Sequence, residues 1–573
     1  MPALVVPGVR VEARFDVLPP LPAPSGIIGA VGIVDRPPLG GGLVGVTKLV
    51  EIRQLLGPGT ASSMPEVGHA LSNGASEVVI SPVAGGSAAS AFLKNVDGDD
   101  VVLLRCRSNG AFNNQLYAEV RTLMDADNEI VRVTLRLIRN GRVLETYSDL
   151  QIAPGQPDDL FEAINSQSGI VIAVDPGFVG KLPRAGKYTF ETDEDTIFIP
   201  EALPGTGNIM RLRPAGDSDP VGLSVQIDVA ETTKTVRIRI FQRGLQEEFT
   251  GLTMNPDDDR YLPYVIENES RLIRFTLLNS RTDNRLPVAT PEPKKFSGGT
   301  SPTVEQYRQA IDLLSDDPRI DIVLACIEPI DKGDMDTDLY DAQVHEIHQA
   351  LVAHAVSMAE AAAPRIAFGS VTENESDNLD LIREHSALVR NRRFALVAPP
   401  GAEGAVAGLV GRLNPQDSPT FKPVPLFGIA PARYRESELN RLLGSTTNLL
   451  VVQDRVGQGV VVLRGLDTSG DQISVTRVAD IAIRETKAIS QNFIGQLNTD
   501  EARMALKQQI VATFTRMERQ GALVPSTDGK DPAFLVDVYS TQTDFAQGIV
   551  RIDIAIRPVR AIDYIYATIR VKN

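Results

Sequence analysis

The chain has 573 residues, 43% of them hydrophobic, enough to bury several cores. A formal net charge of −16 opposes binding to a polyphosphate backbone, and 5% aromatics with no Trp leave little material for stacking on bases or sugars. Two isolated cysteines, Cys106 and Cys326, support neither a disulfide framework nor a zinc knuckle. The absence of any run of about 18 apolar residues, or of a basic and then apolar leader, leads us to expect a soluble product made in the cytoplasm, with no direct membrane insertion.

Residues 5–15 alternate as a half-buried strand does, with Val5, Val9, Val11, Ala13 and Phe15 apolar and Arg10, Glu12 and Arg14 between them. Pro19, Pro20, Pro22 and Pro24 follow, a composition that favours an extended leash. Residues 1–25 therefore read as an N-terminal arm and linker. An α/β unit comes next, with strands at 26–34 and 77–83 and helices at 47–56 and 65–72. Between the first strand and helix, Gly40-Gly-Gly42-Leu-Val-Gly45 fits a dinucleotide-binding pattern, but no acidic residue stands where a ribose would be held, and a plain loop is expected. Similar α/β material returns after Pro302, with helices at 304–314 and 340–362 and strands at 320–326, 365–368 and 394–398. The simplest organisation is one split α/β core domain, residues 26–95 plus 300–423, built on a helix-covered parallel sheet.

The intervening stretch is strand-rich and repeats itself. Leu144-Glu-Thr-Tyr-Ser-Asp-Leu150 aligns with Gln246-Glu-Glu-Phe-Thr-Gly-Leu252, and Ile164-Asn-Ser-Gln-Ser168 with Ile266-Glu-Asn-Glu-Ser270, both displaced by 102 positions. Asn140-Gly141 predicts a two-residue hairpin turn. Two inserted β-modules, 96–182 and 183–299, are expected. The acidic clusters at 97–100 and 257–260 lack a calcium loop and read as turns.

His345-Glu-Ile-His348 resembles a zinc-protease motif, but its histidines are three apart where that chemistry requires four, so a solvated helix face is expected there and around His354. Neither cysteine has a catalytic signature, no nucleophile elbow or phosphate-binding loop is present, and no enzyme, cofactor or metal is expected. From residue 424 the pattern changes to a C-terminal α+β domain: strands at 449–453 and 460–464, helices at 436–443, 478–495 and 499–520, and closing strands at 533–540, 548–557 and 562–572. The second long helix is expected to be capped by Asn498 with Glu501, and Val550, Ile552, Ile554 and Ile556 alternate without interruption.

Taken in order, several segments resemble the contractile tail sheath family. These are Pro7-Gly-Val-Arg-Val-Glu12, Asp35-Arg-Pro-Pro38, Ile52-Arg-Gln-Leu-Leu-Gly57, Asn109-Gly-Ala-Phe-Asn-Asn114, Thr476-Arg-Val-Ala-Asp-Ile481, Arg519-Gln-Gly-Ala-Leu523, Gly548 to Ile556, Pro558 and Tyr564-Ile565. A second β-module and the lack of tryptophan depart from the family pattern.

The resemblance implies a mechanical subunit that polymerises as a helical or stacked-ring homo-oligomer around an inner tube protein, bounded by baseplate and terminator or cap proteins. Such a subunit contracts from an extended state, assembles in the cytoplasm, and serves a phage tail or an extracellular or cytoplasmic injection particle. The arm residues Val5, Val9, Val11, Ala13 and Phe15, and Ile562, Tyr564, Ile565, Tyr566, Ile569 and Val571 of the last strand, are candidates for strand exchange between subunits. Arg503, Lys507, Arg516 and Arg519 are candidates for tube contact. A nucleotide-binding oxidoreductase and a static surface-array protein or adhesin are the competing readings.

Overall fold

A computed structural model of the chain describes residues 26–563, apart from 39–40, 128, 155, 178, 180, 182, 190–195, 203–206, 216–221, 279–284, 329–336 and 445. The arm residues Val5 to Phe15 and the last-strand residues Tyr564 to Val571 lie outside the described residues.

The body is an eight-stranded sheet ordered Val44–Val46, Glu77–Pro82, Ile27–Gly32, Ile322–Ala325, Ile366–Ser370, Phe394–Ala398, Leu450–Arg455 and Gly459–Val462. The inner strands run parallel, and the short strands at the two edges are antiparallel to their neighbours. Ile27–Gly32 pairs with Glu77–Pro82 on one side and Ile322–Ala325 on the other, so sequence-distant halves share one sheet, as a split domain requires. These strands are buried on both faces, which is why they read as unbroken apolar runs. One face packs on helices Leu49–Leu56, Pro65–Ser72 and Glu403–Arg412, and the other on Val304–Leu313, Thr337–Glu360 and Leu379–Leu388. Pro65–Ser72 and Glu403–Arg412 touch backbone to backbone: a Cβ at Gly404 or Gly408 would lie 2.3 Å from the carbonyl oxygen of Glu66 or Ala70. The sheet's last two strands come from beyond residue 424, the boundary that the change of sequence pattern suggests. They add to Phe394–Ala398 because Val397 and Ala398 pair with Leu450 and Val451.

The insertion shows the repeat in three dimensions. Strands Ile130–Arg139 and Arg142–Leu150, helix Leu160–Gln167 and strand Val171–Val174 are matched by Thr235–Gln242, Leu245–Leu252, Leu262–Glu269 and Ile273–Leu277. Equivalent side chains do equivalent work. Glu145 accepts from the Ser168 hydroxyl at 2.7 Å and the Gly169 amide at 3.0 Å, while Glu247 accepts from the Ser270 hydroxyl at 2.7 Å and the Arg271 amide at 2.8 Å. Asn165 and Glu267 each accept from a backbone amide of the following strand, that of Ala173 and of Phe275. The Asn140-Gly141 turn has positive φ at both residues, as a twisted two-residue hairpin demands. The copies share one continuous apolar core from Ala88 to Phe296.

The C-terminal unit stands on helix Ile473–Gln491, which crosses the amino-terminal ends of the parallel strands. Arg484 donates to the carbonyls of Pro318, Ile320 and Pro364, Arg477 to those of Leu413 and Asn414, and Asp480 receives two bonds from Arg393 at 2.8 and 3.0 Å. Helix Asp500–Arg519 is capped by Thr499, whose hydroxyl accepts from the Ala502 amide. Asn498, expected in that role, instead accepts from Arg503, because the helix begins one residue later than the sequence pattern suggests.

Candidate functional site: a two-stranded sheet with open edges

Strands Phe534–Tyr539 and Arg551–Ile556 form an antiparallel hairpin laid on helix Asp500–Arg519. Phe534, Val536, Val538, Ile552, Ile554 and Ile556 face Leu506, Ile510, Phe514 and Met517, and the rings of Phe514 and Phe534 meet edge to face at 5.6 Å. The strict alternation read in the sequence is thus the packing of one sheet face on one helix. The hairpin's connection is locked by Asp544, which accepts two bonds from Arg551 at 2.8 and 2.9 Å and others from Thr541. The Arg551 guanidinium holds this carboxyl well below the usual carboxylate range.

No further strand pairs with either strand among the described residues. The pairing pattern fixes which groups are left over. Arg557 N–H donates to the Ala533 carbonyl at 2.9 Å, so by antiparallel alternation 535/555, 537/553 and 539/551 are the pairs that exchange hydrogen bonds. The backbone N–H and C=O groups of Phe534, Val536 and Val538 on one edge, and of Ile552, Ile554 and Ile556 on the other, therefore point outward, with the Val538 N–H donating to Asp537 Oδ1 at 3.1 Å. A two-stranded sheet with two such edges is marginal alone and is a template for further strands.

Beyond the hairpin the chain returns to the body. Val559 N–H donates to the Ala522 carbonyl, Arg560 pairs with Asp471 at 2.7 Å, Gln472 and Ala561 exchange two hydrogen bonds, and Arg464 pairs with Asp563 at 3.2 Å. The clasp rests on a turn in which Asp467 accepts from the amides of Ser469, Gly470 and Asp471. Burial pushes the Asp467 carboxyl up to about 6. Ile562 is exposed and belongs to no strand, so the part of the expected last strand that can be seen is a docked irregular segment.

The four cationic candidates divide. Arg503 is bonded to Asn498 and Asp500, Lys507 to Asp537 at 3.2 Å and Arg516 to Glu485 at 3.4 Å, so these three tie the helix to its own unit. Arg519 is exposed in the last turn.

At the other end of the sheet, by the carboxyl ends of its parallel strands, lies a cavity of about 320 Å³ lined by Glu66, Tyr340, His348, Ser370, Glu373 and Glu403 among others. Ligands of doubly wound sheets bind at this end. Among the described residues no Lys or Arg lines the cavity, and its carboxylates are the wrong polarity for a nucleotide phosphate. Burial raises Glu66 to about 8 and Glu403 to about 7, with the proximity of Glu403 adding to the effect on Glu66. In the glycine-rich loop, Val44–Val46 forms the sheet's edge strand, and Gly41 and Gly42 have open space about them; Gly40 lies outside the described residues.

The expected solvated face around His345, His348 and His354 is not what forms. His348 and His354 are buried because the helix is covered by Leu379–Leu388 on one side and by the sheet on the other. His354 is bonded to Arg365 at 2.8 Å. His345 and His348 join Glu375 and His385, residues that no local sequence spacing connects.

Residues 467–572 match the family model of the phage tail sheath C-terminal domain. No curated protein matches the chain. Among solved structures, the sheath tail protein of Desulfitobacterium hafniense is 12% identical, covers 99% of this chain and 100% of its own, and has a TM-score of 0.44. That of Listeria innocua is 11% identical over 95% of this chain and 94% of its own, with a TM-score of 0.43. The helical sheath of the anti-feeding prophage in the contracted state is 16% identical over 48% of this chain and 78% of its own, with a TM-score of 0.36. The open-edged hairpin and the clasp residues Asp471, Gln472, Arg560, Ala561 and Asp563 thus fall within the segment that matches the phage tail sheath C-terminal domain.

Proposed function

We propose that the protein is a mechanical sheath subunit, one that polymerises around an inner tube and shortens from an extended to a contracted state to drive that tube forward. The observation that carries this reading is the two-stranded sheet: a segment matching a sheath C-terminal domain contains a hairpin that pairs with no third strand on either edge among the described residues. Strands lent by adjoining copies complete it, one from the arm containing Val5, Val9, Val11, Ala13 and Phe15, the other from the segment containing Ile562, Tyr564, Ile565, Tyr566, Ile569 and Val571. Backbone pairing supplies affinity without demanding side-chain fit, and the proline-rich leash supplies slack while subunits slide. A lattice of many such links needs only a modest free-energy difference per subunit to switch together.

The α/β body, which runs through the strand Gly459–Val462, spaces the subunits, and the duplicated β-insertion decorates them. Arg519, and such of Arg503, Lys507 and Arg516 as can exchange their present partners, face the tube. Baseplate and terminator proteins bound the assembly, which forms in the cytoplasm and works as a phage tail or a contractile injection particle.

Deleting residues 2–20 tests this directly. The expected product is a folded subunit that forms no contractile tubes in electron micrographs; full-length tubes of two lattice lengths from the deletion variant would refute strand exchange. Tubes of a single fixed length from the intact protein would favour a static array.

A further inference from the structure

We propose that the α/β body holds a divalent transition-metal site made by His345, Glu375 and His385, with Zn(II) as its type ion. The three donors come from three separately anchored segments. His345 lies on helix Thr337–Glu360 and His385 on helix Leu379–Leu388, whose first turn is capped by Asn378. Glu375 lies in the turn between strand Ile366–Ser370 and that second helix, pinned by the amide of Asn378 donating to its carbonyl at 2.7 Å and by its own amide donating to Thr372 Oγ1.

His345 Nε2 stands 2.7 Å from Glu375 Oε1, and His385 Nδ1 stands 2.9 Å from Glu375 Oε2. One ligand atom from each residue lies within 4.8 Å of the others. Two imidazoles and one carboxylate form a donor set that first-row divalent ions of borderline character select.

Two further features separate this cluster from an incidental polar contact. His385 Nε2 is engaged by His348 Nδ1 at 2.9 Å, so the ring has a partner behind it that fixes its orientation with Nδ1 facing the cluster, the outer-shell support typical of metal-bound histidines. Glu375 and His385 are fully enclosed while His345 keeps 19% of its side chain exposed, which leaves an entry route from solvent on one side only. Four titratable side chains gathered in a hydrophobic layer carry a desolvation cost that strand exchange at the far end of the molecule does not explain. A bound ion would tie both helices to the turn above the sheet.

The test uses the full-length chain without a polyhistidine tag, stripped with chelator and titrated with Co(II) and then Zn(II). One equivalent of Co(II) with a visible ligand-field spectrum, displaced by Zn(II) and accompanied by a higher unfolding temperature, is the expected result. His345→Ala, at the partly exposed ligand, should keep the circular dichroism of the parent and lose the spectrum. His348→Asn should weaken binding by about 10–100-fold. His345→Gln serves if the alanine variant does not fold. Failure of the parent chain to bind either ion, or undiminished binding by a folded His345 variant, would overturn the proposal. Neither result bears on sheath assembly, which is scored separately by microscopy.

Discussion

Truncating Phe514 should loosen the hairpin while leaving the α/β body intact. Phe514 is 1% exposed, sits at the centre of the apolar cluster beneath the hairpin, and meets Phe534 edge to face. Removing a buried phenyl ring costs about 3–5 kcal/mol, and the lost ring pair accounts for about 0.5–1.5 kcal/mol of that kind of loss in other proteins. Among the described residues no third strand on either side compensates. Native-state hydrogen exchange reads this locally. The inward amides of Leu535, Asp537, Arg551 and Asp553 should lose about three decades of protection, which corresponds to about 4 kcal/mol at 1.36 kcal/mol per decade. Amides of Ile27–Gly32 and Ile322–Ala325 should change little, since they belong to a separate core. Equal loss in both regions, or none in the hairpin, would refute the claim that the hairpin depends on its packing against this helix.

Gly408→Ala should destabilise the body by about 1–3 kcal/mol in a denaturant melt, because the new methyl meets the Ala70 carbonyl oxygen at 2.3 Å and two helix backbones must part. Glu66 and Glu403, raised by burial, bind protons more tightly in the folded than in the unfolded chain. Their stabilising contribution is full below the ordinary glutamate range and is lost as pH rises towards about 7 and 8, with a slope of up to about 1.4 kcal/mol per pH unit for each group. Glu403→Gln should therefore flatten the fall in stability between pH 5 and 8, and an unchanged pH profile by calorimetry would contradict that account.

The elements most legible in the sequence were those whose periodicity reports packing. Val550, Ile552, Ile554 and Ile556 announced a one-sided strand, and the apolar runs at 27–32 and 322–325 announced strands covered on both faces. The 102-residue repeat was visible because Glu145/Glu247 and Ser168/Ser270 perform the same backbone-locking task in each copy, so both residue types recur together. Less could be read where pairing is non-local. Nothing near residue 450 signals that Leu450 and Val451 continue the sheet from Val397 and Ala398, and nothing near His345 points to Glu375 or His385. The helix cap was misplaced by one residue because Asn498 and Thr499 are both competent caps, and only the backbone geometry chooses Thr499. The hairpin's open edges were illegible for a related reason: a sequence shows that strands exist, not how many neighbours each one has.

The outward amides of the hairpin give the most direct test. In the isolated subunit the amides of Phe534, Val536, Ile552, Ile554 and Ile556 should exchange far faster than the inward amides between them, and in the assembled tube both edges should become protected. Tubes in which those five amides still exchange as freely as in the lone subunit would contradict completion of the sheet by neighbouring copies.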